Sequence, residues 1–249
     1  MFSGFYTISS GVFVNQKSVN TISNNLVNAQ TPGYRTESIA HSAFEKELMF
    51  RSDSSGGTVL GDGMQSPLTV IDGVQTKFSP GQLKETGLNL DIAIDGDGFF
   101  NIKGNDGNTY LTRNGSFSID SQGYLALEGV GRVQGKNGDI AVKTSDFAVR
   151  ADGTVANSSG QVLGNILVTV PTDYTTLQKS GNGLFTSTTA MNVSTSCQLL
   201  QKNLELSNVD VNEEMTNLMA TQRALQNCAS VLKTIDGLDQ KAVSQIAAV

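Results

Sequence analysis

The chain contains no tryptophan and one histidine, His41. A histidine triad or a histidine metal cluster is therefore excluded, and His41, in a polar stretch, reads as a solvated loop residue. The two cysteines, Cys197 and Cys228, have neither metal-ligand spacing nor the numbers of a disulfide framework. Cys228 lies beside a helical apolar stripe and reads as a small packing residue. No window holds the roughly 18 to 20 apolar residues of a membrane span. No lysine or arginine precedes Lys17, so a secretory n-region is missing and export, if it occurs, is expected to use no cleaved signal. Basic clusters are also missing. With a net charge of −6, the chain offers no surface for nucleic acid.

What is present is organised from the ends inward. Phe5, Ile8, Val12, Val19, Ile22, Leu26 and Ala29 step by threes and fours if Asn15 fills the one polar slot. Val211, Met215, Leu218, Leu225, Ala229 and Leu232 do the same with Gln222 as the slot. Such spacing places one helix face in a seam against other helices. The first helix is expected from Gly4 to Gln30, stopped by Thr31-Pro32-Gly33, because proline disfavours helix for the residue before it and glycine tolerates the left-handed turn. Lys17 is its only charge between Phe2 and Tyr34, so its polar face is expected to become buried on assembly rather than stay solvated. The second helix starts after Asp210, which with Glu213 fits a capping box, while Glu214 favours the positive end of the dipole. It is expected to run to about Ala247, with a candidate kink at Gly237 and a seam that drifts after Leu232.

The middle reads differently. At 249 residues, one large domain or two modest ones are expected; 38% hydrophobic residues suffice for a core, and 26 glycines signal many turns. Residues 83–189 read as an all-β domain. Leu90–Ile94, Phe99–Ile102, Tyr110–Thr112, Phe117–Ile119 and Gly123–Leu127 are strand patterns, and Gln161–Val170 reads as one long strand. Asp106-Gly107, Asn114-Gly115, Asn137-Gly138 and Asp152-Gly153 mark turns. Residues 36–82 and 190–204 read as linkers, with helical turns over Phe44–Phe50 and a flexible loop over Ser52–Gly63. The expected fold is α+β: terminal helices, 1–35 and 205–249, pairing as a coiled-coil-like domain around a central all-β domain.

No catalytic, cofactor or metal site stands out. Asp95-Gly96-Asp97-Gly98 lacks the twelfth-position glutamate of an EF-hand and reads as a tight turn. Gly129–Lys136 fails as a phosphate loop, because Asn137 follows the lysine. No positive feature supports an enzyme, and no cofactor is expected.

Three stretches resemble the bacterial flagellar rod and hook family. The first is Ser10-Gly11 with Ile22-Ser23-Asn24-Asn25-Leu26-Val27-Asn28-Ala29-Gln30-Thr31-Pro32-Gly33-Tyr34-Arg35, where Val27 stands in place of the usual alanine. The second is Leu90 to Phe100 with Tyr110 to Phe117 and Gly123-Tyr124-Leu125. The third is Glu205-Leu206-Ser207-Asn208-Val209-Asp210, Glu213-Glu214-Met215 and Thr221-Gln222-Arg223-Ala224, where Leu225 replaces the usual aromatic residue. In length and single β-domain the chain is similar to the rod members, distal or proximal. The full hook protein is usually longer.

The resemblance implies a structural subunit of the basal-body rod that polymerises into a helical tube and transmits torque from motor to hook. A hook-like or junction subunit of the same axial family is the alternative. Implied partners are copies of itself, other rod and hook subunits, the flagellar type III export apparatus and envelope ring proteins. Assembly contacts are expected at Ile8, Val12, Ile22, Leu26, Met215 and Leu218, at Thr31, Pro32, Gly33 and Tyr34, and at Ser207, Asn208, Val209 and Glu214. Asn24, Asn25 and Asn28 would bond between neighbouring helices or cap a helix end within one subunit. Gln222 and Arg223 would play the matching role or form a solvated face.

Overall fold

The computed structural model describes residues 2–43, 47–52, 58–65, 69–181, 183–194 and 197–246. They form two units, one of residues 1–27, 37–77 and 210–249, the other of 28–36 and 78–209.

The first unit holds both helices, α1 (Phe2–Val27) and α2 (Val211–Ile246). Asp210 caps α2: its carboxylate accepts the backbone N–H of Asn212 at 2.9 Å and of Glu213 at 3.3 Å. This satisfies donors that have no partner within the helix. The helix continues through Gly237. The two helices pack antiparallel, since Asn25 meets Glu214 while Asn15 meets Cys228.

Four strands share this unit. β1 (Glu37–Ala43) pairs antiparallel with β4 (Thr69–Thr76), from Glu37↔Thr76 to Ala43↔Thr69, with an irregularity between Ala40 and His41. β2 (Glu47–Ser52) pairs with β3 (Thr58–Gln65). The helical reading of Phe44–Phe50 is corrected over Glu47–Phe50, and the loop reading of Ser52–Gly63 is corrected at Ser52 and over Thr58–Gly63. The rest of both stretches lies outside the described residues. His41 sits in a strand, not a loop. Cross-strand backbone bonding outweighs local glycine and serine content here.

The second unit is β-rich. Its ten-stranded antiparallel sheet centres on Phe99–Gly104, which pairs with Thr109–Thr112, Gly131–Gly135 and, through Phe99 and Phe100, Val168–Pro171. Successive side chains point to opposite faces. Phe100 and Ile102 therefore join the main core with Ile92, Leu125, Val133 and Val155. Phe99 joins a separate cluster with Leu111, Phe185 and Phe78.

Three expectations are revised. Gln161–Val170 is two strands: Val162–Asn165 pairs within a three-stranded sheet, and Val168–Pro171 pairs with Phe99–Phe100. Asn114-Gly115 is not a hairpin turn, because the strand before it pairs with Phe99–Gly104 and the strand after it with Leu125–Leu127. Within 190–204, read as linker, Met191–Val193, Gln198–Gln201 and Asn203–Glu205 are all paired strands.

One buried ionic cluster ties distant parts of this unit together. The Glu205 carboxylate bonds Arg35 at 2.7 Å and Arg113 at 3.0 Å, and accepts the Gly81 N–H at 2.9 Å. Arg35 also donates to the Ser79 carbonyl, and Arg113 to the carbonyls of Ile94 and Gly96. All three side chains are buried. Burial pulls the Arg35 guanidinium below its usual range, with Glu205 opposing the shift. Removing the single anion leaves two buried guanidinium groups facing each other. We expect Glu205→Gln to destabilise this unit by about 3–5 kcal/mol in urea denaturation. A loss below about 1 kcal/mol would show that the pair gives the fold little.

Candidate assembly interface

Within the β-rich unit, Glu205 also organises the chain at Gly33 through its backbone. Gly33 donates its N–H to the Glu205 carbonyl at 2.8 Å and has φ of 68°. A Cβ at Gly33 would collide with the backbone of Arg113 and Asn114. Only glycine meets both demands without strain. Tyr34 is buried, and its hydroxyl accepts from Lys179 at 3.1 Å. Asn208 accepts the Thr36 N–H and hydroxyl, each at 2.7 Å, and donates to the Ser79 carbonyl at 2.9 Å. The Val209 N–H bonds the Ser207 hydroxyl. The structure thus brings Gly33, Tyr34, Ser207 and Asn208 into one neighbourhood within one subunit. Thr31 donates its hydroxyl to the Asn28 side chain at 3.2 Å, a local turn contact. Pro32 and Val209 are half-buried.

In the helical unit, Asn25 is 0% exposed. Its side-chain oxygen accepts the Glu37 N–H at 3.0 Å, while its NH2 donates to the Glu37 carbonyl at 2.8 Å and to the Glu214 carboxylate at 3.1 Å. One amide therefore presents to β1 the donor and acceptor of a neighbouring strand, and reaches α2 as well. Asn24 is exposed.

The apolar stripes are not sealed. Among the described side chains of α1, Val14, Thr21 and Asn25 are buried; Ile8, Val12, Ile22 and Leu26 are only half-buried. On α2, Glu214 and Leu218 are half-buried, whereas Met215, Gln222 and Arg223 are exposed. Asn15 donates to the Cys228 sulfur at 3.9 Å.

Sequence reasoning assigned no role to Arg35, Arg113 or Glu205, although all three stand inside the quoted motifs. A signal existed for Arg35 and Glu205, each a charge beside buried, uncharged motif residues, but neither partner could be read locally. Among the described residues no group of acidic, cysteine or histidine side chains could hold a metal, and no helix is long and apolar enough to cross a membrane.

Two outcomes are expected. Asn25→Ala removes the three hydrogen bonds that this buried amide makes to Glu37 and Glu214 and costs about 1–3 kcal/mol in urea denaturation. Burial raises the Glu214 carboxyl pKa, the Asn25 bond opposes this, and Glu213 adds to the rise. A carboxyl raised above its unfolded value stabilises below the unfolded pKa, and that contribution is lost as pH climbs through the folded pKa. Glu214→Gln keeps an acceptor for Asn25, so the variant should gain stability relative to the parent as pH rises from about 4 to 6. Thermal melts across that range check this; parallel pH curves would refute it.

The comparisons with known proteins agree with this architecture. Residues 93–156 match the family model described as the flagellar hook protein FlgE/F/G D1 domain. Residues 200–246 match that of the flagellar basal body rod FlgEFG protein C-terminal. The chain is 31% identical to the flagellar basal-body rod protein FlgF of Caulobacter vibrioides, over 93% of this chain and 92% of that one. It is 28% identical to the flagellar basal-body rod protein FlgG of Bacillus subtilis, over 98% and 99% of the two chains. A flagellar hook-basal body complex protein of Bacillus subtilis, FlhO, is 27% identical over 99% of each. Antiparallel pairing of the two terminal helices and similarity over nearly the whole length lead to one assignment: the chain belongs to the flagellar basal-body rod family.

Proposed function

We propose that this chain is a structural subunit of the flagellar basal-body rod, built to polymerise through its terminal helices. The observation that carries this reading is an antiparallel helix pair whose apolar stripes stay half-open in the single subunit. Apolar side chains left in water at regular spacing are covered when neighbours pack, which supplies the driving force for growth. The helical unit would pack against the helical units of its neighbours to form the tube. Motility depends on such a shaft, which carries torque from motor to hook. Export through the flagellar type III apparatus and contact with envelope ring proteins complete the reading.

The hook-like alternative is less favoured, since the FlgF and FlgG relatives carry rod names. Basal bodies purified from a strain lacking this gene should end in a truncated rod without a hook, and the cells should not swim. Complete hooks and normal swimming would overturn the proposal. Leu26→Asp and Leu218→Asp each place an unpaired charge in the seam and should abolish rod completion. Wild-type swimming by either variant would count against the helical seam.

A further inference from the structure

Two Asn-Gly pairs stand among the described residues, Asn114-Gly115 and Asn137-Gly138. Asparagine before glycine is chemically labile. Its side-chain amide lies within reach of the next backbone nitrogen, and glycine has no Cβ to obstruct the approach. The fold locks the first pair. The Asn114 side-chain oxygen accepts the Ser116 N–H at 3.0 Å, and the Asn114 N–H donates to the Thr112 hydroxyl at 3.0 Å. Gly115 is buried, its carbonyl accepts the Ile92 N–H at 3.0 Å, and a Cβ built on it would collide with the Ile92 carbonyl. Amide and nitrogen cannot turn toward each other without breaking these bonds.

Two Asp-Gly turns are held as well. The Asp106 carboxylate takes the Tyr110 hydroxyl and the Asn108 amide, each at 2.7 Å, and the Asp152 carboxylate takes the Thr154 N–H at 3.0 Å and hydroxyl at 2.9 Å. The Tyr110 hydroxyl holds the Asp106 carboxyl below its usual range, and the Thr154 N–H does the same for Asp152. A carboxylate kept ionised is a poor target for a backbone nitrogen.

Asn137 has no such restraint. It and Gly138 are both exposed, and its side chain has no hydrogen-bond partner among the described residues. It stands at the tip of a hairpin with arms Gly131–Gly135 and Gly138–Asp139, where Gly135 pairs with Gly138 and only Lys136 and Asn137 lie between. Gly138 has φ of 114°, and nothing lies within 4 Å of where its Cβ would stand. The Gly138–Asp139 arm has 2 residues, so fraying it costs little. The rest of the hairpin stays anchored, because the Lys136 N–H bonds the Asn165 carbonyl at 2.9 Å and the Leu167 N–H bonds the Gln134 carbonyl at 3.1 Å. The tip can therefore open while the sheet stays closed.

We infer that Asn137-Gly138 is a site of covalent self-modification, where the amide is converted to aspartate and isoaspartate with water as the only co-reactant. The Gly138 backbone nitrogen attacks Cγ of Asn137. A C–N bond forms and closes a succinimide, and the side-chain nitrogen leaves as ammonia, carrying the proton of the backbone N–H. Water then adds to either imide carbonyl and opens the ring. Opening on one side gives aspartate. Opening on the other gives isoaspartate, which routes the main chain through the side-chain carbon. Either product sets a new carboxylate near Asp139, whose own carboxylate faces Arg132 at 3.5 Å. The change falls on an exposed turn and leaves the core of the β-rich unit in place.

The test incubates the purified full chain at mildly alkaline pH, once folded and once in concentrated guanidinium chloride, and follows both Asn-Gly pairs by peptide mass mapping. In denaturant the two should convert at comparable rates. In the folded chain Asn137 should keep a rate within a few-fold of that, while Asn114 slows by more than about tenfold. Ion exchange of the folded chain should show a growing acidic form, and Asn137→Gln, which lengthens the side chain at an exposed turn, should abolish it. Equal conversion of the two pairs in the folded chain, protection of Asn137 as strong as that of Asn114, or an acidic form that persists in Asn137→Gln would overturn the inference.

Discussion

A single carboxylate, that of Glu205, ties together three separate segments of the β-rich unit. It lies between Arg35 and Arg113, which come from sequence positions far apart, and it also takes the Gly81 N–H. Two buried cations and one anion cannot be separated cheaply, because each lost partner strands a charge away from water. The arrangement therefore specifies one geometry for residues 33–36, 79–81 and 205–208. The Asn208 amide and the left-handed Gly33 add hydrogen bonds to the same geometry.

The helical unit follows the opposite logic. Among the described residues the buried amide Asn25 ties α1, β1 and α2 together, Val14 and Thr21 are buried beside it, and the other helix-pair positions are half-buried or exposed. With Lys17 as the only charge along α1, no surface ion pairs or charged outer face support that helix. Weak closure within the subunit fits the proposed assembly, in which neighbours would complete the packing. A helix pair that satisfied itself fully would have no reason to associate.

Much of this was legible in the chain. The strand patterns from Leu90 to Leu127 were readable because alternation and turn dipeptides are local signals. The two helices and the Asp210 cap were readable for the same reason. β1 to β4 were not, because their Ser- and Gly-containing segments form strands only through pairing with each other. Gln161–Val170 looked continuous because nothing in its composition shows that its halves bond different partners. The apolar stripes on α1 and α2 were legible as periodicity, but periodicity cannot tell which neighbour covers a face: on α2, Leu218, Leu225 and Leu232 are half-buried while Val211, Met215 and Ala229 are exposed. Arg35, Arg113 and Glu205 escaped assignment because an ion pair between residues 170 positions apart leaves no mark in either neighbourhood.

The contact near the middle of the helix pair is thin. Gly11 has no side chain, and a Cβ there would lie 3.8 Å from the Cys228 sulfur. That thiol is free and half-buried. A bulky group attached to the sulfur would compete with α1 for this space, so the rate at which a thiol reagent reacts there would report how often the pair opens. The chain thus carries its own gauge of helix closure, which would read fast in the lone subunit and slow once neighbours clamp the pair shut.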